Sequence, residues 1–140
     1  MRQHPDSITA QTISAHDGIP MACDTGGRGT HLLLFVHGWT CRRTYWAPQL
    51  AHFKADFRVA APDLPGHGDT GAGKRSERRV ALLGRDIAAA ARQLGPGPVI
   101  LIGHSMGGAV CLEAARLMSD SVAAVVLVDT FVIDYGGLDD

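Results

Sequence analysis

The sequence predicts an α/β fold with a mostly parallel sheet and helices on both faces. Continuous apolar runs at Leu32–Val36, 99–102 and Val122–Val128 are too short for helices, and stretches of helical periodicity separate them. Such runs are typical of strands buried on both faces. Strands that alternate with helices favour parallel pairing through right-handed crossovers. A single domain over residues 1–140 is expected, since the length suits one domain and no linker or repeat interrupts the pattern.

The elements are predicted in chain order, starting from a hairpin formed by residues 7–15 and 21–24. Turn residues 16–20, with the sequence HDGIP, separate its two strands. Later strands are predicted at 32–36, 57–61, 99–102 and 122–128, and helices at 45–53, 79–94 and 106–118. The helix over 79–94 carries one apolar stripe, and the GPGP sequence that follows it ends it.

The composition excludes several classes of function. A net charge of -1 and 19% charged residues give no basic surface for nucleic acid, and no apolar run reaches the roughly 20 residues that span a bilayer. The opening residues, MRQHPDSITAQTIS, lack the apolar core of a secretory signal, so a cytoplasmic protein with reduced cysteines is expected. Cys23, Cys41 and Cys111 do not have the spacing of zinc ligands. Neither a metal nor another cofactor is predicted, and no cysteine receives a catalytic role.

The segment with the most chemical content is Gly103-His104-Ser105-Met106-Gly107, which follows a predicted buried strand and opens a predicted helix. In such a G-x-S-x-G turn, the serine lies at the apex of a sharp change of direction, and the flanking glycines avoid collisions. This context favours a nucleophilic Ser105 over a plain glycine-rich helix start, because a hydroxyl becomes a nucleophile once a base removes its proton. The backbone N–H of Met106, in the first turn of the helix, is predicted to donate to the oxyanion that forms on attack.

Three motifs in the chain resemble those of the α/β-hydrolase fold family in its esterase-like branch: HGWTCRRTYWAPQL, FRVAAPDLPGHGDT and ILIGHSMGGAV. The resemblance runs through a sixth strand, AAVVLVDT, and implies the α/β-hydrolase fold, truncated after that strand. It implies a second oxyanion donor in the loop after the Leu32–Val36 strand, and we assign that role to the backbone N–H of Trp39. The ring of Trp46 is assigned to packing.

The same resemblance implies a substrate class. Carboxylic esters are expected, with thioesters, lactones, perhydrolysis and carbon–carbon cleavage left open. A serine at the apex disfavours the chemistry of the family's dehalogenases and epoxide hydrolases, which use a carboxylate as the nucleophile.

The family's catalytic triad runs in the order serine, acid, histidine, and the chain lacks part of it. All seven histidines precede Ser105, and none matches the position of the family's base: His4, His16, His31, His37, His52, His67 and His104. We expect those in the motifs to be structural, and His104 to point away from the adjacent hydroxyl. Asp129, at the end of the sixth strand, matches the acid of some family members, whereas Asp63 resembles the family's turn-forming aspartate.

Because no histidine follows Ser105, we expect the chain to be the N-terminal portion of a longer hydrolase, incomplete at its C-terminus. Residues 131–140 would enter the segment where the family builds a variable cap. The chain alone is expected to be inactive or to depend on the missing part. The alternatives are a non-catalytic ligand-binding protein, a relic of the fold, or an assembly in which a second polypeptide contributes the histidine. The expected partners are a small ester-like substrate and, along the exposed edge of the sixth strand, a second copy of the chain.

Two other motifs compete with this interpretation. Residues 66–71 satisfy G-x-G-x-x-G, and residues 68–74 satisfy most of a phosphate-binding loop. Both lack the context of a nucleotide site, because residues 63–65 separate the strand from the glycines, no helix follows them, and Arg75 replaces the magnesium-binding hydroxyl. The basic residues around Glu77 are expected to lie in a solvated loop and helix start: Lys74, Arg75, Arg78 and Arg79.

Overall fold

The computed structural model describes residues 7–130, in which a six-stranded sheet carries helices on both faces. The strands are β1 (Thr9–Ser14), β2 (Pro20–Gly27), β3 (Leu32–Val36), β4 (Arg58–Pro62), β5 (Val99–His104) and β6 (Val122–Val128). The α-helices are α1 (Ala47–Phe53), α2 (Val80–Gln93) and α3 (Met106–Leu117), with 3-10 turns at Arg43–Trp46 and Ser119–Ser121. Within these residues, no helix combines the length and the hydropathy needed to cross a bilayer.

The strand order across the sheet is β1-β2-β4-β3-β5-β6. The β3–β4, β3–β5 and β5–β6 pairs are parallel. The opening hairpin of β1 and β2 runs against them, because the β1–β2 and β2–β4 pairs are antiparallel. A helix connects each parallel strand to the next one along the chain, so the predicted mostly parallel α/β sheet and its opening hairpin are confirmed.

The alternation of side chains along β3 shows why the sequence LLLFV is apolar at every position. Leu33 and Phe35 face a layer formed with α1, whereas Leu34 and Val36 face a larger layer formed with α2 and α3. Because both faces of the strand are covered, neither can be polar. The predicted placement of helices on both faces is therefore confirmed.

The predicted bounds differ most from the observed ones at α1 and β2. The helix predicted at 45–53 begins as a 3-10 turn and becomes α-helical only at Ala47, with Pro48 in its first turn, where the missing N–H costs nothing. β2 continues to Gly27 rather than ending at residue 24, because Gly26 and Gly27 pair with β4. Long-range pairing thus extends a strand through two residues of low strand propensity.

The expectation of a solvated basic loop is wrong for Arg75. Its side chain is 8% exposed and donates to Asp17 at 2.7 and 2.8 Å and to Asp86 at 2.7 and 2.8 Å. Asp86 is fully buried on α2, and a buried carboxylate needs a paired cation. Arg75 therefore ties the turn between β1 and β2 to α2. Arg79, by contrast, pairs with Glu77 at the surface, as expected.

β6 forms one edge of the described sheet and pairs with β5 alone. Most of its side chains are exposed, including Val126 at 44% and Val128 at 39%, whereas Val122 and Val125 pack against the core. The opposite edge, β1, has the partly polar sequence TAQTIS. Within residues 7–130, the predicted exposed apolar edge is thus present at β6.

Candidate active site

Ser105 lies at the sharp turn between β5 and α3. Its φ of 53° and ψ of -124° are values that residues with a side chain rarely adopt, and it is exposed. Two glycines make the turn possible, because a Cβ at Gly103 would overlap the carbonyl of Gly107, and a Cβ at Gly107 would overlap the carbonyl of Val36. The backbone therefore passes from strand to helix with the serine hydroxyl at the apex.

The end of β6 supports this strained apex from the side. The Ser105 N–H donates to the Val128 carbonyl at 3.0 Å, and the Thr130 hydroxyl donates to the Ser105 carbonyl at 3.1 Å. Gly108 leaves room for this contact, since a Cβ there would overlap the Thr130 side chain. Both backbone polar groups of Ser105 are thus held by the neighbouring strand.

The N-terminus of α3 brings the first predicted oxyanion donor to the serine. Met106 is the first residue of this helix, and N–H groups of a first turn have no acceptor within their own helix. The helix dipole adds positive potential at the same end. A negative charge that develops beside Ser105 would be stabilised there.

The second predicted donor, Trp39, belongs to the segment that runs from the end of β3 to the first residue of the 3-10 turn, here called the 37–43 loop. Gly38 approaches the serine so closely that a Cβ there would lie 3.1 Å from the Cβ of Ser105. The Cys41 N–H donates to the Gly38 carbonyl at 3.2 Å, which folds the loop back on itself. The structure therefore brings the backbone beside Trp39 to the serine.

His37 is engaged by the backbone at both ring nitrogens. Nε2 accepts the Leu64 N–H at 3.0 Å, so Nδ1 carries the proton and donates to the Gly38 carbonyl at 2.8 Å. Burial lowers the pKa of His37, and the hydrogen bond to Gly38 offsets this only in part. A neutral ring with both nitrogens occupied supports the structural role that we expected.

His67 and His104 make no hydrogen bond to Ser105 within the described residues. His67 is buried, and its ring lies 5.0 Å from that of His37 and 5.2 Å from that of Trp39. His104 lines a cavity on the α1 face of the sheet. The expected orientation of His104 away from the Ser105 hydroxyl stays a prediction.

That cavity has a volume of about 220 Å³ and a largely apolar wall. It is lined by His37, Cys41, Tyr45, Trp46, Gln49, His104 and Val128. The Trp46 ring also packs on Phe35, with 5.1 Å between ring centroids, which supports its assignment to the core. An apolar recess thus lies beside the turn of residues 103–107, here called the elbow.

Asp63 and Asp129, the two aspartates considered for the triad, have different surroundings. Asp63 is fully buried, and its carboxylate accepts the backbone N–H groups of Arg43 at 2.6 Å and Asp69 at 2.8 Å. A Cβ at Gly68 would overlap that carboxylate, so the turn is built around it. Asp129 is exposed, with a φ of 48°, at the end of β6. Its assignment as the triad acid stays a prediction.

One group of potential metal ligands lies among the described residues. The ligand atoms of His16, Asp17 and Asp86 are within 4.8 Å of one another. Both carboxylates already accept hydrogen bonds from the Arg75 guanidinium, so the site holds a cation of its own. The three side chains therefore belong to an ion-pair network with Arg75.

The glycine-rich residues 66–71 form a turn. The Thr70 N–H donates to the His67 carbonyl at 2.9 Å, and the Gly66 N–H donates to the Thr70 carbonyl at 3.2 Å. α2 begins only at Val80, so no helix N-terminus faces these glycines. The context of a nucleotide site is missing here, as the sequence predicts.

Sequence reasoning missed Arg43. Its side chain is 11% exposed and bonds to three carboxylates, of Asp24, Asp63 and Asp69. The only available signal was an arginine shortly after the HGW loop and an aspartate on each side of the PGHG turn. The sequence alone does not show which of these residues pair, because their contacts depend on the fold.

Comparison with known proteins agrees with this geometry. A sequence model of the alpha/beta hydrolase fold matches residues 31–137. Lipase LipV of Mycobacterium tuberculosis is 39% identical over 109 residues, which cover 76% of this chain and 40% of that protein. Human epoxide hydrolase 4 is 33% identical over 105 residues, which cover 74% of this chain and 29% of that protein.

Among solved structures, E-2-(acetamidomethylene)succinate hydrolase superposes with a TM-score of 0.81 and 29% identity, covering 95% of this chain and 49% of its own. The chain thus spans less than half the length of each of these proteins. The family match covers most of the described sheet and includes the elbow at Ser105. The chain belongs to the alpha/beta hydrolase fold family.

Proposed function

We propose that Ser105 is the nucleophile of a serine hydrolase that acts on carboxylic esters. One observation carries this proposal: Ser105 is exposed at a strained apex, between the N-terminus of α3 and the 37–43 loop. Backbone strain of this kind costs free energy and persists only where the surrounding structure holds it. It is found mainly at functional sites.

The chemistry follows from these groups. A base takes the proton of Ser105 Oγ as the oxygen attacks the carbonyl carbon of the ester, and the carbonyl oxygen becomes an oxyanion. The backbone N–H groups of Met106 and Trp39 hold that oxyanion. When the oxyanion collapses, the ester C–O bond breaks and the protonated base gives its proton to the departing alcohol, which leaves an acyl group on Ser105. The same base then takes a proton from water, which attacks the acyl carbon, and returns that proton to Ser105 Oγ as the acid is released.

Esters are favoured over epoxides by the identity of the nucleophile. The relatives include a lipase and an epoxide hydrolase, so the family match alone leaves both reactions open. Attack by a serine on an epoxide would leave an ether, whereas attack on an ester leaves an acyl group that water can remove. Ser105 therefore supports the ester reaction.

We also propose that the base comes from outside residues 7–130. Among these residues, no histidine or carboxylate hydrogen-bonds to the Ser105 hydroxyl, and His37 is fixed to the backbone. The relatives extend well beyond the matched segment. Turnover by this chain alone is expected to be absent or slow.

A second copy of the chain is the proposed partner of β6. Since the Val128 carbonyl points towards Ser105 and β5, the backbone groups of Leu127 point to the free edge. β6 is apolar throughout its sequence, VAAVVLV, and carries none of the charges that block edge pairing. Antiparallel pairing of two β6 strands about a twofold axis would satisfy these groups in both copies.

A second candidate function is ligand binding without turnover. It is favoured by the same observation that no base bonds to Ser105 within the described residues. The apolar cavity beside His104 would then hold the ligand.

A chimera tests the proposal. Residues 1–130 are joined to the part of the Mycobacterium tuberculosis lipase that follows its matching segment, and cooperative unfolding is checked first. A fluorophosphonate probe should label the chimera at Ser105, and Ser105→Ala should lower p-nitrophenyl butyrate turnover by at least about 10³-fold. Turnover that survives Ser105→Ala would contradict the nucleophile. A folded chimera that the probe does not label would favour the ligand-binding candidate.

The unmodified chain tests the origin of the base. It should react with the probe far more slowly than the chimera. Turnover by the chain alone at the rate of the chimera would show that residues 1–140 already contain the base.

A further inference from the structure

The 37–43 loop is joined at both ends to one short turn. At its start, the Leu64 N–H donates to His37 Nε2 at 3.0 Å. At its end, the Arg43 N–H donates to the Asp63 carboxylate at 2.6 Å. Two adjacent residues, Asp63 and Leu64, therefore hold the first and the last residue of the loop.

The Arg43 side chain reinforces the second of these joints. Its guanidinium donates to Asp63, to Asp69 at 2.7 Å and to Asp24 at 3.0 Å. Asp63 is fully buried, and Arg43 is the guanidinium that pairs with it. Burial lowers the pKa of Arg43, but the hydrogen bonds to Asp69, Asp24 and Asp63 raise it by more, so the group stays charged. The pair is thus a fixed ionic contact at neutral pH.

Between the two joints, the loop rests on the elbow. Gly38 lies against the Cβ of Ser105, and Trp39 is the next residue. A loop that is fixed at both ends and contacts the serine at its second residue has little freedom to move its amides. We propose that Arg43, through Asp63, is a positioning residue that holds the Trp39 N–H at the distance from Ser105 that oxyanion binding needs.

This inference rests on the proposed role of Ser105, but its consequence for the loop can be measured without catalysis. Cys41 is a half-buried free thiol within the loop, and Trp39 is its only tryptophan. In a Trp46→Phe background, Trp39 becomes the only tryptophan of the chain. Alkylation of Cys41 and quenching of Trp39 fluorescence by acrylamide then report how far the loop opens.

Arg43→Met should raise the alkylation rate of Cys41 by at least about tenfold and increase quenching of Trp39, because local opening of the loop becomes more frequent. Arg75→Met is the matched control, since Arg75 makes an equivalent buried ion pair with Asp86 away from the loop. It should lower global stability and leave both loop signals unchanged below the unfolding transition.

Arg43→Lys and Arg75→Lys repeat the comparison with charge retained, in case the methionine variants do not fold. Arg43→Lys should give a smaller change in the same direction, because an ammonium cannot reach three carboxylates in the geometry of a guanidinium. Equal Cys41 rates and equal Trp39 quenching in the two series would overturn the inference.

An active chimera separates this inference from the function itself. There, Arg43→Lys should lower kcat with little change in KM, because the oxyanion exists only after attack. A loop that opens with unchanged kcat would overturn the positioning role. A chimera with no Ser105-dependent activity would instead overturn the proposed function and leave the loop signals as they are.

Discussion

Gly107 lies so close to the carbonyl oxygen of Val36 that a single methyl group on its Cα would overlap that oxygen. The obstacle is backbone of the central strand, which no side-chain rotation can relieve. Gly107→Ala is therefore expected to lower the free energy of unfolding by about 2 to 3 kcal/mol. Urea denaturation measures this change.

Gly71→Ala is the control for this substitution, because a Cβ at Gly71 would meet only the Gly73 nitrogen, at 4.0 Å. It should change stability by less than about 0.5 kcal/mol. Equal losses in the two variants would mean that the close approach of α3 to β3 is not what Gly107 provides.

Stability should decrease as the pH falls below the ordinary pKa of histidine, in part because of His37. Its pKa is lowered in the folded state, so the unfolded chain binds a proton more readily. The contribution is complete above about pH 6.5 and is lost as the pH falls towards the lower folded pKa. His37→Asn, which does not titrate there, should show a shallower decrease between pH 7.5 and 5 in urea unfolding. Identical pH profiles of wild type and variant would contradict the buried neutral ring.

The three thiols should differ in reactivity. Burial raises the pKa of Cys23 to about 12 and raises that of Cys111 still further, so neither forms a thiolate near neutral pH. Iodoacetamide at pH 8 should therefore modify Cys41 alone in the native chain and all three cysteines in urea. Peptide mass spectrometry identifies the sites, and native modification of Cys111 would contradict the packing of α3.

The ion pair of Arg75 with Asp86 should be costly to break. Arg75→Met removes the guanidinium from the fully buried Asp86 carboxylate, which then keeps only its contacts with His16, and is expected to lower the free energy of unfolding by about 3 to 5 kcal/mol. Arg116→Met, which removes the partner of Glu113 at the surface, should cost less than about 1 kcal/mol. Similar costs for the two would show that Asp86 is accessible to water.

Self-association through β6 should depend on its exposed valines. Val126→Lys is expected to shift sedimentation velocity profiles of the chain from dimer to monomer, because an ammonium placed beside the free edge opposes pairing. Leu112→Lys, at a position 41% exposed on α3, should leave the profile unchanged. A wild-type chain that sediments as a monomer at high concentration would contradict the proposed partner.

The parts of the fold that sequence could predict are those governed by local patterns. β6 was bounded correctly because VAAVVLV is uninterrupted and Asp129 follows it. The elbow was recognisable because its glycines stand at fixed offsets from Ser105. In both cases, the signal lies within a few residues.

The ionic contacts could not be predicted in the same way. Arg75 and Asp86 are 11 residues apart, and Arg43 and Asp63 are 20 apart, with no periodicity that links them. Their pairing depends on how the strands and loops pack, so the sequence indicates neither the burial of Arg75 nor the contacts of Arg43. Charged side chains in loops carry little information until tertiary structure decides which of them are buried.

The hydrogen bond from Thr130 to Ser105 spans 25 residues of sequence. During synthesis, the serine therefore leaves the ribosome well before the residues that hold its backbone. The turn at the apex becomes rigid only when β6 has been made and has docked beside β5. The backbone of Ser105 thus gains this hydrogen bond only after β6 has been made, so a chain that stops before β6 presents the elbow sequence without it.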